Sequence, residues 1–258
     1  MTATTFQVDR PTAPSLLTLT VVELRKMVDT RAGRWLLVCV ALIGVALVGV
    51  VLFAAPRADR TTPLMYSAAL SGVAVLLPVL GVLSVTGEWS QRTALTTFTL
   101  VPERERVIAA KLLAGAVLAF LCLVVSAVSA WAGRLLGAVL GRTDAGWGVP
   151  PSMLATTLLM AVLGVWAGVA FGMLFLNPPL AIVLFFLLPI TWAILGETVS
   201  ALDGAANWLD TARTTEPLSE PGAEMTGRAW ARLAVSQSLW LLLPLVLGAG
   251  RVIRREVK

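Results

Sequence analysis

The stretch WLLVCVALIGVALVGVVLFAA, residues 35–55, runs for 21 residues without a charged side chain. The hydrocarbon core of a bilayer is about 30 Å thick, and an α-helix needs roughly 20 residues to cross it. An uninterrupted apolar run of this length is typical of a transmembrane helix. It decides the fold class of the whole chain, because similar runs follow it.

Five further apolar runs predict spans at residues 64–86, 112–133, 152–176, 180–195 and 229–250. The span 180–195 follows the helix breaker Asn177-Pro178-Pro179, because proline removes a backbone donor and clashes with the preceding turn. It has only 16 residues, so we expect it to be short, kinked or continued into the next loop. The sequence predicts an all-α polytopic membrane protein with six transmembrane helices in a single transmembrane domain, residues 1–258.

Composition excludes several classes of enzyme. Of the 258 residues 57% are apolar and 14% are charged, whereas a soluble domain has about 25% charged residues. The chain has no histidine and two cysteines, so histidine-dependent proteases, histidine-based triads and haem chemistry are excluded, and we expect no metal site. Cys39 and Cys122 both fall inside predicted spans and are interpreted as small buried apolar residues.

The distribution of lysine and arginine predicts the orientation in the membrane. Thirteen of the 20 cations lie before the first span, between the second and third spans, or after the sixth, and seven lie on the opposite side. The positive-inside rule therefore places both termini in the cytoplasm of a multi-pass cell membrane protein. The net charge of +5 is then a topological signal, and we expect no nucleic-acid partner.

Three segments outside the spans carry most of the polar residues. Residues 15–34 place Leu17, Val21, Leu24 and Val28 at helical spacing, which predicts an amphipathic helix at the cytoplasmic interface. Residues 87–111 form a long charged cytoplasmic loop. Residues 196–228 form an outer loop whose apolar stripe, which ends at Leu209, predicts a short helix on the membrane, whereas its second half is as consistent with a disordered loop.

Two of these segments resemble a known family. The first is Glu23-Leu24-Arg25-Lys26, followed by Arg31 before a span that begins with tryptophan. The second is the loop Glu88-Trp89-Ser90-Gln91-Arg92-Thr93, with Thr97-Phe98-Thr99-Leu100, Pro102, Arg104 and Ala110-Lys111 before the third span. Together they resemble ABC-2 type transporter permeases, particularly those of high-GC Gram-positive bacteria. Arg92 stands where that family often has glycine.

The resemblance implies the membrane subunit of an ATP-binding-cassette exporter. The permease would pair with a second permease subunit, in a homodimer or a paralogous heterodimer, and with two copies of a separate ATPase that binds ATP and Mg²⁺. The chain has no Gly-x-x-x-x-Gly-Lys-Ser/Thr loop, so we expect it to bind no cofactor and to be no enzyme itself.

The resemblance also implies roles for charged residues. We expect an interfacial helix that carries Glu23, Lys26 and Arg31, and a coupling helix within the segment from Glu88 to Val101, with Glu88 near the N-terminal end of a short helix. The alternative is that each of these charges only faces solvent and lipid headgroups. The residues expected to couple the loop to the ATPase are Glu88, Arg92, Thr93, Thr97, Arg104 and Arg106.

A translocation path requires polar or aromatic side chains that face the bundle. The candidates, on spans two and five, are Tyr66, Ser67, Ser71, Phe185, Phe186, Thr191 and Trp192, with Pro78 and Pro189 as kinks. Ordinary packing explains each of them equally well. No predicted span has a central ionisable residue, which disfavours a proton-coupled carrier and favours an exported hydrophobic or amphiphilic substrate such as a drug, lipid, peptide or natural product. The competing hypothesis is a membrane scaffold or sensor that transports nothing.

Overall fold

The computed structural model describes residues 14–91, 93, 99, 103–143, 146–219 and 225–254. Within these ranges all regular secondary structure is helical. Six helices are long and apolar enough to cross a membrane, which agrees with the six predicted spans. They are α2 (Arg31–Ala54), α3 (Thr62–Ser90), α4 (Arg104–Val139), α5 (Pro151–Phe175), α6 (Pro178–Thr198) and α9 (Gly227–Arg254).

Three shorter α-helices and two 3₁₀ segments, Arg57–Asp59 and Ser200–Leu202, accompany the six long helices among the described residues. Helix α1 (Leu16–Asp29) precedes the first long helix, and α7 (Asp203–Leu209) and α8 (Thr211–Ser219) lie between α6 and α9. Several helices are capped at their N-terminus by a side-chain oxygen. Ser15 accepts a hydrogen bond from the backbone N–H of Thr18, Thr30 accepts one from Gly33, and Asn177 accepts one from Leu180. Such caps satisfy amide donors that have no partner inside the helix.

Several predicted boundaries differ from the observed ones. The segment 15–34 is not one helix, because Thr30 adopts an extended conformation and caps α2. The segment 87–111 is helical at both ends, since α3 continues to Ser90 and α4 begins at Arg104. The short fifth span is a 21-residue helix, and the predicted outer loop contains two short helices rather than one.

Helix α3 is at the centre of the bundle and packs against α2, α4, α5 and α6. Its closest approach is to α5, where a Cβ atom on Gly168 would overlap the carbonyl oxygen of Pro78. Only glycine allows the two backbones to approach this closely. In contrast, α2 and α6 expose many large apolar side chains, as expected for surfaces that face lipid.

Candidate functional site

A cluster of four charged side chains joins α1 to the ends of α3 and α4. Lys111 Nζ lies 2.6 Å from Glu23 Oε2 and 3.0 Å from Glu88 Oε1, and it also donates to the Ser84 carbonyl at 2.8 Å. Lys26 Nζ lies 2.7 Å from Glu23 Oε1 and 2.8 Å from Glu88 Oε1. Two carboxylates therefore alternate with two ammonium groups, so the charge cluster (Glu23, Lys26, Glu88 and Lys111) is formally neutral.

Three members of the charge cluster are almost completely removed from solvent. The side chains of Glu23 and Lys111 are each 5% exposed and that of Glu88 is 11% exposed, whereas Lys26 is 39% exposed. Burial lowers the pKa of Lys26, but hydrogen bonds and charge attraction from Glu23 and Glu88 outweigh this and raise its pKa above the ordinary lysine value. Lys26 therefore holds its proton.

The local sequence explains how these residues meet. Glu23 and Lys26 are three residues apart in α1 and so lie on one face of that helix. Glu88 belongs to the last turn of α3, and Lys111 lies about two turns into α4. The prediction that Glu88 lies near the N-terminal end of a short helix is therefore wrong, because it lies in the last turn of a helix that ends at Ser90.

Other residues predicted to couple to an ATPase also make contacts within the chain. Arg104 donates to the carbonyls of Val252 and Ile253 near the end of α9. Arg106 donates to the Pro14 carbonyl at 2.6 Å and to the Glu103 carboxylate at 3.1 Å. The Thr93 amide donates to the Glu88 carbonyl, and Arg92 and Thr97 lie outside the described residues. Arg31, which was predicted to belong to the interfacial helix, is exposed and begins α2 instead.

A second candidate site is a cavity of about 620 Å³ among α3, α5, α6, α8 and α9. Its apolar part is formed by residues such as Val73, Pro78, Phe171 and Phe185. Its polar groups lie mainly in the first turns of α3 and α5 and on α8 and α9. They are Ser67, Thr156, Thr157, Thr211, Thr215, Gln237 and the indole of Trp240.

The structure separates the predicted path residues into two groups. Ser67, Phe185, Phe186, Pro78 and Pro189 line the cavity. Tyr66, Ser71, Thr191 and Trp192 are not among the residues that line it. Tyr66 is fully buried and bonds through its hydroxyl to Thr157 Oγ1 at 3.1 Å, Ser71 Oγ donates to the Ser67 carbonyl, and Trp192 Nε1 is buried without a hydrogen-bond partner in the described structure.

Sequence reasoning missed the walls of the cavity that come from α5 and α8. The adjacent threonines Thr156 and Thr157 in a predicted span were the available signal on α5. On α8 the signal was the helical spacing of Thr211, Thr215 and Leu218, all of which line the cavity.

No group of three or more His, Cys, Asp or Glu side chains in the described ranges has an arrangement that could hold a metal ion.

Comparison with known proteins assigns no family. No protein-family model matches the sequence, and no curated protein matches it significantly.

Proposed function

We propose that this chain is the transmembrane permease subunit of an ATP-driven exporter, with its ATPase on a separate chain. The observation that carries the proposal is a mostly apolar cavity of about 620 Å³, which is lined by four of the six long apolar helices and by α8. This volume is in the range of small-molecule binding sites, which are about 300–1,000 Å³ and mostly apolar. A scaffold that binds no ligand has no need of such a cavity.

The charge cluster supports the energy coupling in this proposal. It ties α1 to the two helices that flank segment 91–103, which contains most of the loop that resembles a coupling segment. A force applied to that segment by a docked ATPase would reach α3 and α4 directly. In this arrangement both termini and the charge cluster lie on the cytoplasmic side, and a second permease subunit and two ATPase copies complete the exporter in the cell membrane.

Copurification with an ATPase tests the proposal. The chain is coexpressed with the cassette ATPase encoded nearest to it, and the complex is isolated through a tag on the permease. We expect a complex of two permease and two ATPase subunits that hydrolyses ATP, whereas the permease alone hydrolyses none. The matched control is an ATPase whose P-loop lysine is replaced by alanine, which should assemble without hydrolysis.

Two results would contradict the proposal. Hydrolysis by the isolated permease would place the nucleotide site on this chain. Failure of every cassette ATPase of the source cell to copurify with it would instead favour the scaffold or sensor hypothesis.

A further inference from the structure

The cavity has no charge with which to bind a charged ligand. Not one of the described residues that line it is ionisable. An ion that entered this apolar space would lose its hydration without gaining a counter-charge, which is strongly unfavourable. The lining therefore selects for an uncharged ligand.

Four of the five hydroxyl groups of the lining, those of Ser67, Thr156, Thr157 and Thr215, donate their hydrogens to the backbone of their own helices. Ser67 Oγ donates to the Pro63 carbonyl at 3.1 Å, Thr156 Oγ1 to Met153 at 3.2 Å, and Thr215 Oγ1 to Thr211 at 2.7 Å. A hydroxyl that donates in this way still has lone pairs that accept. These groups therefore face the cavity as hydrogen-bond acceptors.

The indole of Trp240 is unavailable in the same way, because its Nε1 donates to the Leu209 carbonyl at 2.7 Å. Gln237 and Thr211 are the exceptions: the Gln237 amide carries both donors and an acceptor, and the Thr211 hydroxyl has no backbone acceptor among the described residues. Acceptors thus predominate in the polar part of the cavity, and a complementary ligand must supply donors.

The polar and apolar parts occupy different levels of the bundle. Ser67 and Pro78 both line the cavity from α3. They are 11 positions apart, which corresponds to about 16 Å along the helix. Ser67, Thr156 and Thr157 are near the starts of the parallel helices α3 and α5, whereas Phe171 lies deeper along α5. A ligand that fills the cavity needs its polar groups at one end.

We propose that the cavity binds an uncharged amphiphile that carries hydroxyl or amide N–H donors at one end. Identifying this ligand as the exported cargo rests on the proposed function, but its binding to the cavity does not. Four single-chain probes of equal tail length separate the contributions of charge and of donors. They are glycerol monolaurate, the same ester with both free hydroxyls methylated, dodecylsulfonate, and dodecylammonium.

Binding is measured with the full chain in phosphatidylcholine nanodiscs, by scintillation proximity with radiolabelled probes. Empty nanodiscs supply the background from partition into lipid. We expect saturable binding of glycerol monolaurate, and at least tenfold weaker binding of the methylated ester and of both charged probes. Equal binding of all four probes, or tighter binding of a charged one, would overturn the proposal.

Substitutions locate the binding in the cavity. Thr215→Val should weaken glycerol monolaurate binding about two- to tenfold, because one acceptor is lost. The matched control is Thr198→Val, since Thr198 also donates to its own helix backbone but does not line the cavity. Gln237→Glu should create binding of dodecylammonium by supplying a counter-charge. If neither Thr215→Val nor Gln237→Glu changes the affinities, the ligand does not bind in this cavity.

These results are distinguishable from those that test the transport function. Selective binding by a chain that copurifies with no ATPase would leave the ligand class intact and refute the exporter. An active ATPase complex whose permease binds charged probes equally well would support the exporter and refute the proposed ligand class.

Discussion

Removing the ammonium group of Lys111 should destabilise the protein far more than removing a charge from its surface. Lys111→Met keeps a side chain of similar length but removes the three contacts of Nζ with Glu23, Glu88 and the Ser84 carbonyl. Two largely buried carboxylates then share the single cation of Lys26, and the charge cluster changes from neutral to −1. Breaking a buried ion pair on one side typically costs about 3–5 kcal/mol, because the remaining charge is uncompensated.

The control is an ion pair on the surface of the same molecule. Glu103 pairs with Arg106 at 3.1 Å, but its side chain is 63% exposed. Exposed pairs contribute about 0–1 kcal/mol, so Glu103→Gln should hardly change the free energy of unfolding.

A double substitution distinguishes charge imbalance from loss of packing. Glu23→Gln in the Lys111→Met background removes one carboxylate and restores neutrality, leaving Lys26 paired with Glu88. The double variant should therefore be more stable than the sum of the single effects by about 0.5–3 kcal/mol.

Unfolding can be followed through a cysteine that the fold protects. Cys122 is buried, as predicted, whereas Cys39, which was also predicted to be buried, is exposed. In a Cys39→Ser background, labelling of Cys122 during titration with sodium dodecyl sulfate therefore reports unfolding. The reasoning would be refuted if Lys111→Met and Glu103→Gln lowered the free energy of unfolding equally, or if the double-variant effects were additive.

Two further predictions concern packing and orientation. Gly168→Ala should destabilise the protein by about 1–3 kcal/mol in the same unfolding assay, because its Cβ would overlap the Pro78 carbonyl, whereas Gly49→Ala has open space and should be neutral or stabilising. In chains without native cysteines, Ala58→Cys and Ala205→Cys should react with an impermeant thiol reagent added to intact cells, and Ser90→Cys should not. If only Ser90→Cys were labelled, the orientation would be opposite to the predicted one.

The sequence was sufficient to predict the number of long helices but not where they end. Counting apolar residues stops at the first charge, so the second span was predicted to end before Gly87 and the third to begin after Lys111. The helices continue because backbone hydrogen bonding does not depend on side-chain charge, and because Glu88 and Lys111 compensate each other across the bundle. A pairing between residues on different helices is not visible in hydropathy.

The candidate sites were predictable to different degrees. Ser67, Phe185 and Phe186 were found because polar and aromatic residues stand out within apolar spans. Thr211 and Thr215 were missed because their segment is polar and has the composition of a loop, although α8 places both against the cavity. Glu88 pairs with Lys26 and Lys111 of the same chain, and these pairs depend on how α1, α3 and α4 pack, which the sequence does not show.

Both candidate sites depend on α3, and this constrains how one can affect the other. Glu88 in the charge cluster and Ser67 in the cavity are 21 residues apart on this helix, which corresponds to about 32 Å. Pro78 lies roughly midway and has no N–H to donate to the carbonyl of Ala74, which also lines the cavity. A helix is most easily bent at such a position. Movement of the end that carries Glu88 would therefore act on the cavity at Pro78, where the close contact with Gly168 transfers it to α5.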